Sequence, residues 1–262
     1  MLDILNALLV MGGLGIVFGV ILSFADKVFA VPVDEKVALI RDNLAGANCG
    51  ACGYPGCDGF AEAVAKGEAP ITGCPPGGSK TVQALAEIMG VSATASEPKV
   101  ARVLCQGANE IAGIRYEYSG VESCAAAVAF AGGPKLCQYS CVGLGDCVNV
   151  CKFDALTIEN DLAVIDDKKC TACGMCVNVC PRHVIELVPR SATVAVRCRS
   201  SAKAREARAA CTHACIGCKR CEKACAFDAI HVADGFATID QEKCTQCEEC
   251  IKVCPNNCIT VS

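Results

Sequence analysis

The sequence is organised around residues 170–181, which read CTACGMCVNVCP. Cysteines at two-residue intervals are followed by a further cysteine after three residues and then by proline. In a C-x2-C-x2-C-x3-C-P run, the first three thiolates bind three irons of one four-iron four-sulfur cluster, and the fourth thiolate serves a neighbouring cluster. The run therefore predicts a pair of 4Fe-4S clusters with interlocked ligands.

The same pattern recurs 74 residues later, as CTQCEECIKVCP at residues 244–255. Upstream of each run, Cys147 and Cys151 align with Cys221 and Cys225. Alternating apolar residues around a turn predict a β-hairpin inside each copy. The predicted strands are residues 155–158 and 162–165 in the first copy, and residues 229–232 and 236–239 in the second. The repeat predicts two tandem ferredoxin-like modules, at residues 135–190 and 206–262.

Each module is expected to hold two clusters, and spacing assigns their ligands. Two departures from the ferredoxin pattern concern the first loops: Lys152 and Ala226 stand where the motif carries proline, and the first module reads C-x3-C-x5-C. The predicted sets in module 1 are Cys137, Cys141, Cys147 and Cys180, and Cys151, Cys170, Cys173 and Cys176. The predicted sets in module 2 are Cys215, Cys218, Cys221 and Cys254, and Cys225, Cys244, Cys247 and Cys250.

Module 2 leaves one choice of ligand open. The repeat offset selects Cys211 with Cys215 and Cys221, whereas ferredoxin spacing selects Cys218 in place of Cys211. We favour Cys218, because short spacings hold three ligands around one cube with the least backbone to order and Gly217 eases the turn. Most of the thiols then left over are expected to act as small buried hydrophobes; the five are Cys105, Cys124, Cys198, Cys211 and Cys258.

A fifth cluster is predicted in an N-terminal domain, residues 32–91. A helical pattern begins at Asp34 and is stopped by Gly46. The stretch CGACGYPGC, residues 49–57, is rich in glycine, so its backbone can wrap closely around a metal cube. This stretch supplies three thiols, and the cysteine after Gly73 supplies a fourth. The predicted ligands of the fifth cluster are therefore Cys49, Cys52, Cys57 and Cys74. A linker at residues 92–98 and a small connecting region at residues 99–134 are expected before the repeats.

The N-terminus carries no charged residue from Ile4 to Ala25. As a helix this run is about 33 Å long, enough to cross a bilayer once. Lys27, Lys36 and Arg41 follow it and no basic residue precedes it, which predicts a cytoplasmic location for the rest of the chain. Residues 1–27 are thus expected to be a transmembrane anchor in the membrane lipid, giving a single-pass protein of the cell membrane.

Composition limits the function further. The 262 residues include 25 cysteines, no tryptophan and a formal net charge of −4. Each four-iron cluster with its thiolates adds about −2, so the loaded protein is acidic and unsuited to nucleic acid. Zinc is the main alternative metal, but zinc sites usually join two separated cysteine pairs. No catalytic residue is expected, because His183, His213 and His231 are scattered without partners.

Taken together, the fold class is α+β: a small multi-module iron-sulfur protein with about five 4Fe-4S clusters. The N-terminal cysteine motif, the GCPPGG stretch at residues 73–78 and the ferredoxin repeats resemble the B subunit of the Rnf ion-translocating oxidoreductase, in its longer form. The resemblance implies a multi-cluster electron-transfer subunit of a translocase complex. It further implies partners, namely soluble ferredoxin and the membrane and flavin or NAD subunits.

Two alternatives remain open from the residues alone: a polyferredoxin subunit of another membrane-anchored redox enzyme, and a zinc-stabilised membrane scaffold.

Overall fold

The N-terminal segment is helical, but the predicted membrane anchor is wrong. The computed structural model describes residues 2–29, 34–93 and 97–261, and helix α1 spans Leu2–Val28. Within these ranges, no helix has the length and apolarity required to cross a membrane. The predicted single-pass location in the cell membrane, with the cluster domains on the cytoplasmic side, is therefore wrong, and a contact with membrane lipid is not shown.

The N-terminal cysteine domain is built from helices. Asp34 caps α2 (Glu35–Asp42) by accepting a hydrogen bond from the Lys36 backbone N–H at 2.9 Å. Helix α3 (Gly56–Ala65) and helix α4 (Gly78–Met89) follow, with a 3-10 turn at Pro75–Gly77 between them. Their apolar faces meet around the buried side chains of Ile40, Phe60, Val64 and Leu85. Residues 32–33 of the predicted domain, and residues 94–96 of the predicted linker, lie outside the described residues.

The first repeat contains both hairpin strands expected from the sequence. In chain order it comprises β1 (Lys99–Val103), α5 (Cys124–Ala129), α6 (Asp146–Asn149), β2 (Leu156–Glu159), β3 (Leu162–Ile165), α7 (Met175–Val179) and β4 (Ile185–Pro189). Strands β2 and β3 form the antiparallel hairpin. The first strand, β1, pairs antiparallel with the last, β4, with Val103 opposite Ile185.

The second repeat has the same plan. Its elements are β5 (Val194–Val196), α8 (Ala204–Ala210), α9 (Arg220–Ala224), β6 (Ile230–Ala233), β7 (Phe236–Ile239), α10 (Glu249–Lys252) and β8 (Ile259–Val261). Strands β6 and β7 form its hairpin, and β5 pairs with β8 with Val196 opposite Ile259.

A strand from outside the predicted module therefore closes each repeat. Strand β1 comes from the region expected to be a connector, and β5 comes from the interval between the two predicted modules. Both strands are largely buried, and each ends two residues before a cysteine, Cys105 or Cys198. Pairing with the last strand of its repeat brings each of these cysteines to the edge of a cluster-binding region.

Candidate iron-sulfur sites

Four of the five predicted ligand sets each line a cavity. The four cavities have similar empty volumes, 310–330 Å³. Among the residues that the structure describes, no three or more Cys, His, Asp or Glu side chains are arranged to hold a single metal ion. A four-iron cluster instead takes one thiolate on each of four irons, so its ligands surround a space rather than converge on one point.

The N-terminal cavity is lined by Cys49, Cys52, Cys57 and Cys74. Asn48 shapes this loop, because its side-chain oxygen accepts a hydrogen bond from the Cys57 backbone N–H at 2.8 Å. On the other side, Gly73 lets the chain pass against Phe60: a Cβ added there would lie 2.9 Å from the ring. The buried Phe60 therefore fixes the position from which Cys74 returns to the other three thiols.

In each module we call the set that takes the first three cysteines of the C-x2-C-x2-C run the outer set, and the remaining set the inner set. Cys151, Cys170, Cys173 and Cys176 line one cavity, and Cys225, Cys244, Cys247 and Cys250 line the other. Gly174, with a φ of +81°, precedes α7 and turns the chain between the second and third thiols. In module 2, Glu248 adopts the same left-handed conformation at the aligned position, with a φ of +63°.

The inner cavity of module 2 bears on the choice between Cys211 and Cys218. Cys215, Cys218, Cys221 and Cys254 line it together with Cys258, while Cys211 is not among its lining residues. The arrangement agrees with ferredoxin spacing, so the assignment of Cys218 stays our prediction. Cys211 lies instead at an isolated antiparallel bridge opposite Ala112.

The inner set of module 1 is Cys137, Cys141, Cys147 and Cys180, and two of its thiols are buried. Cys141 and Cys147 are each 8% exposed and pack in the core of the module, with Cys180 partly buried against them. Burial raises the pKa of Cys147 to about 12, and the neighbouring thiolates of Cys141, Cys124 and Cys180 add to the rise. Cys124, which the sequence left unassigned, is therefore a close neighbour of this set.

Backbone N–H groups point at several of the predicted ligand sulfurs. Such hydrogen bonds stabilise thiolates and help to set cluster potentials. The Sγ atoms of Cys151 and Cys225 accept equivalent bonds at 3.4 Å, from the N–H groups of Ala155 and Ala229. The Sγ of Cys170 accepts from Ala101 on β1, also at 3.4 Å. The first strand of the repeat thus contributes to the outer site as well as to the fold.

Burial also couples metal binding to proton release. It raises the pKa of Cys176 to about 12 and that of Cys221 and Cys250 to about 11, with neighbouring thiolates adding to each rise. Without metal these thiols are neutral at pH 7. Binding to iron requires the thiolate, so cluster loading must displace these protons.

Cys258 contacts the inner set of module 2 without belonging to it. Its Sγ lies 3.5 Å from the Sγ of Cys254, and the residue is 3% exposed. A hydrogen bond with Cys258 lowers the pKa of Cys254 to about 5 and that of Cys215 to about 6. The same contacts raise the pKa of Cys258, so this thiol keeps its single proton, and its backbone N–H also donates to the Sγ of Cys254 at 3.4 Å.

This contact predicts a shift in one reduction potential. Val184 occupies the position of Cys258 in the first repeat, 74 residues earlier, so Cys258→Val is a natural replacement. Hydrogen bonds to cluster sulfurs are among the features that set the potential, and losing one makes reduction harder. We expect one cluster to move to a more negative midpoint in an EPR-monitored redox titration, with iron content unchanged. Unchanged midpoints would show that Cys258 only packs.

Sequence reasoning missed Cys105 and Cys198, although they occupy equivalent positions. The Sγ of Cys105 accepts from the N–H groups of Gly107 at 3.2 Å and Cys141 at 3.4 Å, and the Sγ of Cys198 accepts from Cys215 at 3.2 Å. The sequence signal that could have revealed them is a second internal repeat, in which VARVLCQG at 100–107 aligns with TVAVRCRS at 193–200 at an offset of 93 residues. Only one valine and one cysteine match, which made the relation invisible without the strand pairing.

Comparison with known proteins agrees with this geometry. An Fe-S cluster family model matches residues 44–76, a 4Fe-4S binding domain matches residues 163–186, and a 4Fe-4S dicluster domain matches residues 214–258. These matches cover the N-terminal domain and a part of each repeat. Multiple 4Fe-4S clusters are therefore the cofactors of this chain.

Similarity to curated proteins extends over nearly the whole chain. The chain is 48% identical over 261 residues to the B subunit of the Na(+)-translocating ferredoxin:NAD(+) oxidoreductase complex of Acetobacterium woodii, covering 98% of this chain and 78% of that protein. It is 41% identical to the B subunit of the ion-translocating oxidoreductase complex of Methanosarcina acetivorans, covering 98% and 97%. The corresponding subunit of a proton-translocating complex from Clostridium ljungdahlii is 40% identical, covering 98% and 92%. The chain belongs to the family of B subunits of the ion-translocating ferredoxin:NAD oxidoreductase, or Rnf, complex.

Proposed function

We propose that this chain is the electron-transfer subunit of an ion-translocating ferredoxin:NAD oxidoreductase complex, and that it takes electrons from ferredoxin at the repeats. The observation that carries the proposal is the set of four similar cavities, each lined by four cysteines of one predicted set. When bound, a 4Fe-4S cluster accepts and donates one electron. The flavin and NAD chemistry is assigned to partner subunits, because the sequence has no G-x-G-x2-G fingerprint after a strand.

The order of the sites supports a direction of electron transfer along the chain. Burial raises the pKa of Cys173, and the thiolate of Cys49 adds to that rise, which supports a position of the N-terminal set near the outer set of module 1. In each module the two predicted sets draw on the same cysteine run, because the last cysteine of the run, Cys180 or Cys254, is assigned to the inner set. The N-terminal domain is thus one end of a row of sites, and module 2 is the other. We assign ferredoxin to the module 2 end and the partner subunits to the N-terminal end.

Metal analysis with a ferredoxin assay tests this function. Anaerobically purified protein is expected to contain iron and acid-labile sulfide in equal amounts, at least about 20 iron atoms from five sets of four, and almost no zinc. Reduced ferredoxin should bleach its visible absorbance and produce the EPR signals of reduced clusters. Stoichiometric zinc with little iron would identify a scaffold, whereas full iron content without reduction by ferredoxin would point to another redox partner.

A further inference from the structure

Two cations near the junction of the repeats, the buried Lys135 and the partly buried Arg197, lack a carboxylate partner. Lys135 is 3% exposed, and its ammonium donates to the carbonyl oxygens of Gly107 and Asp161 at 2.6 Å each. Arg197 donates to the carbonyl oxygens of Val103 and Cys105 at 3.2 and 3.1 Å. In the described part of the chain, neither forms a salt bridge. A buried charge is costly unless an opposite charge compensates it, so an anion is expected nearby.

Two isolated β-bridges join the segment around Ala112 to the segments that carry Cys137 and Cys211. On one side, Cys211 is the antiparallel bridge partner of Ala112. On the other side, Ile114 is bridged to Lys135, and the Leu136 N–H donates to the Gly113 carbonyl at 2.7 Å. Cys137 directly follows Leu136, and its thiolate adds to the raised pKa of Cys211. The segments that carry Cys137 and Cys211 therefore both border the segment of the fully buried Ala112.

Cys105, two residues after the end of β1, also lies close to Ala112. A Cβ added to Gly107 would lie 3.2 Å from the Cβ of Ala112 and 3.3 Å from the Sγ of Cys105, which puts this thiol close to Ala112. Burial raises the pKa of Cys105, with the thiolate of Cys137 contributing, and Cys105 is itself bonded by backbone N–H groups as the predicted ligands are.

Cys198 completes the group from the equivalent strand of module 2. Its neighbour Arg197 bonds the Cys105 carbonyl across the junction, and its own Sγ accepts from Cys215, in the loop that begins at Cys211. Burial raises the pKa of Cys198 and of Cys211 to about 11, and Cys137 again contributes to both. The thiolate of Cys137 thus adds to the raised pKa of each of the three cysteines that had no ligand role.

Reassigning Cys137 leaves the inner set of module 1 with three thiols, and Cys124 is positioned to be the fourth. Ser123 and Ala125, on either side of Cys124, both donate to the carboxylate of Asp146, at 3.1 and 3.2 Å. Asp146 directly precedes Cys147, so Cys124 is held beside that ligand. Cys124 also packs against Leu144, which stands at the repeat position of Cys218. The missing thiol of the first repeat is therefore supplied from α5.

We propose that Cys105, Cys137, Cys198 and Cys211 bind a sixth 4Fe-4S cluster at the junction of the two modules, and that Cys124 joins Cys141, Cys147 and Cys180. A cluster with four thiolates carries about −2, the charge that Lys135 and Arg197 require. Six sets would use all of the 25 cysteines except Cys258. The inference rests on the proposed function for the kind of cofactor, and it adds a redox centre between the two modules.

Iron counting on single variants of the full chain tests the site. We expect about 24 iron atoms in the parent protein, four per cluster. Cys105→Ser, Cys198→Ser and Cys211→Ser should each lose or convert the same single cluster by EPR, with the remaining signals intact. Cys124→Ser and Cys137→Ser should affect two different clusters, and Cys258→Ser, the matched control, should lose no iron. A parent count of about 20 with unchanged spectra in the first three variants would overturn the proposal.

A charge variant covers the case in which a serine variant fails to fold. Lys135→Met keeps every ligand and removes the buried positive charge, so one centre should shift to a more negative midpoint while all iron is retained. Lys66→Met, at an exposed lysine of the N-terminal domain, is the control and should shift nothing. Unchanged midpoints in Lys135→Met would count against the site. Neither the iron count nor the redox titration uses ferredoxin. A failure of ferredoxin to reduce the protein would therefore leave the test of the sixth cluster unaffected.

Discussion

Replacing Cys49 and Cys52 together with alanine is expected to stop electron delivery from ferredoxin to NAD+ in the assembled complex while leaving the repeats reducible. Both thiols line the N-terminal cavity, and a four-iron cluster cannot be held by the two that remain. Because this set is assigned to the end that faces the partner subunits, the rate of NAD+ reduction should fall to that of a complex that lacks this chain. The repeats keep all their ligands, so reduced ferredoxin should still bleach them.

The measurement needs two readouts on the same preparation: reduction of the clusters by ferredoxin, and NAD+ reduction by the complex. Asp58→Asn is the matched control, because it weakens the exposed Arg41–Asp58 ion pair of the same domain and removes no thiol. Exposed ion pairs contribute little to stability, so this control should keep both activities. Failure of ferredoxin to reduce the repeats in the double alanine variant would reverse the proposed order, and continued NAD+ reduction would take the N-terminal set off the route.

Gly143→Ala is expected to destabilise module 1 and to remove its inner cluster. Gly143 has a φ of +89°, and an added Cβ would overlap the carbonyl oxygen of Asp161. The left-handed conformation costs a side chain about 1–2 kcal/mol, and overpacking a tight contact adds about 1–3 kcal/mol. The same carbonyl accepts the hydrogen bond of Lys135, so the displacement would spread toward the buried ammonium.

Thermal unfolding and iron content of the anaerobic protein measure this effect. Gly132→Ala is the control: its φ is +76°, but an added Cβ has no atom within 4 Å. It should show only the conformational cost, about 1–2 kcal/mol, and keep all of its iron. Equal melting temperatures and iron contents for the two variants would show that the close approach of Gly143 to Asp161 is not important for cluster binding.

Local sequence was sufficient for the cysteine runs and hairpins, because both depend on residues that are near one another in the chain. Two-residue spacings bring three thiols to one loop, and the alternation around residues 160–161 and 234–235 predicts hairpins that the structure confirms. Asp34 at the N-cap of α2 was visible for the same reason, since its hydrogen bond reaches only two residues.

The N-terminal run was misjudged from the same local view. The prediction of a membrane anchor relied on the absence of charge over that run, whereas the described residues contain no helix that could cross a membrane.

What the sequence could not reveal is the neighbourhood of the isolated cysteines, because those contacts join segments far apart in the chain. Cys105 meets Cys141 only after β1 has paired with β4, and Cys211 meets Ala112 only after the two repeats have come together. A lone cysteine has no spacing from which a partner can be inferred. Its role depends on which backbone N–H groups and charges surround it, and tertiary packing alone supplies those.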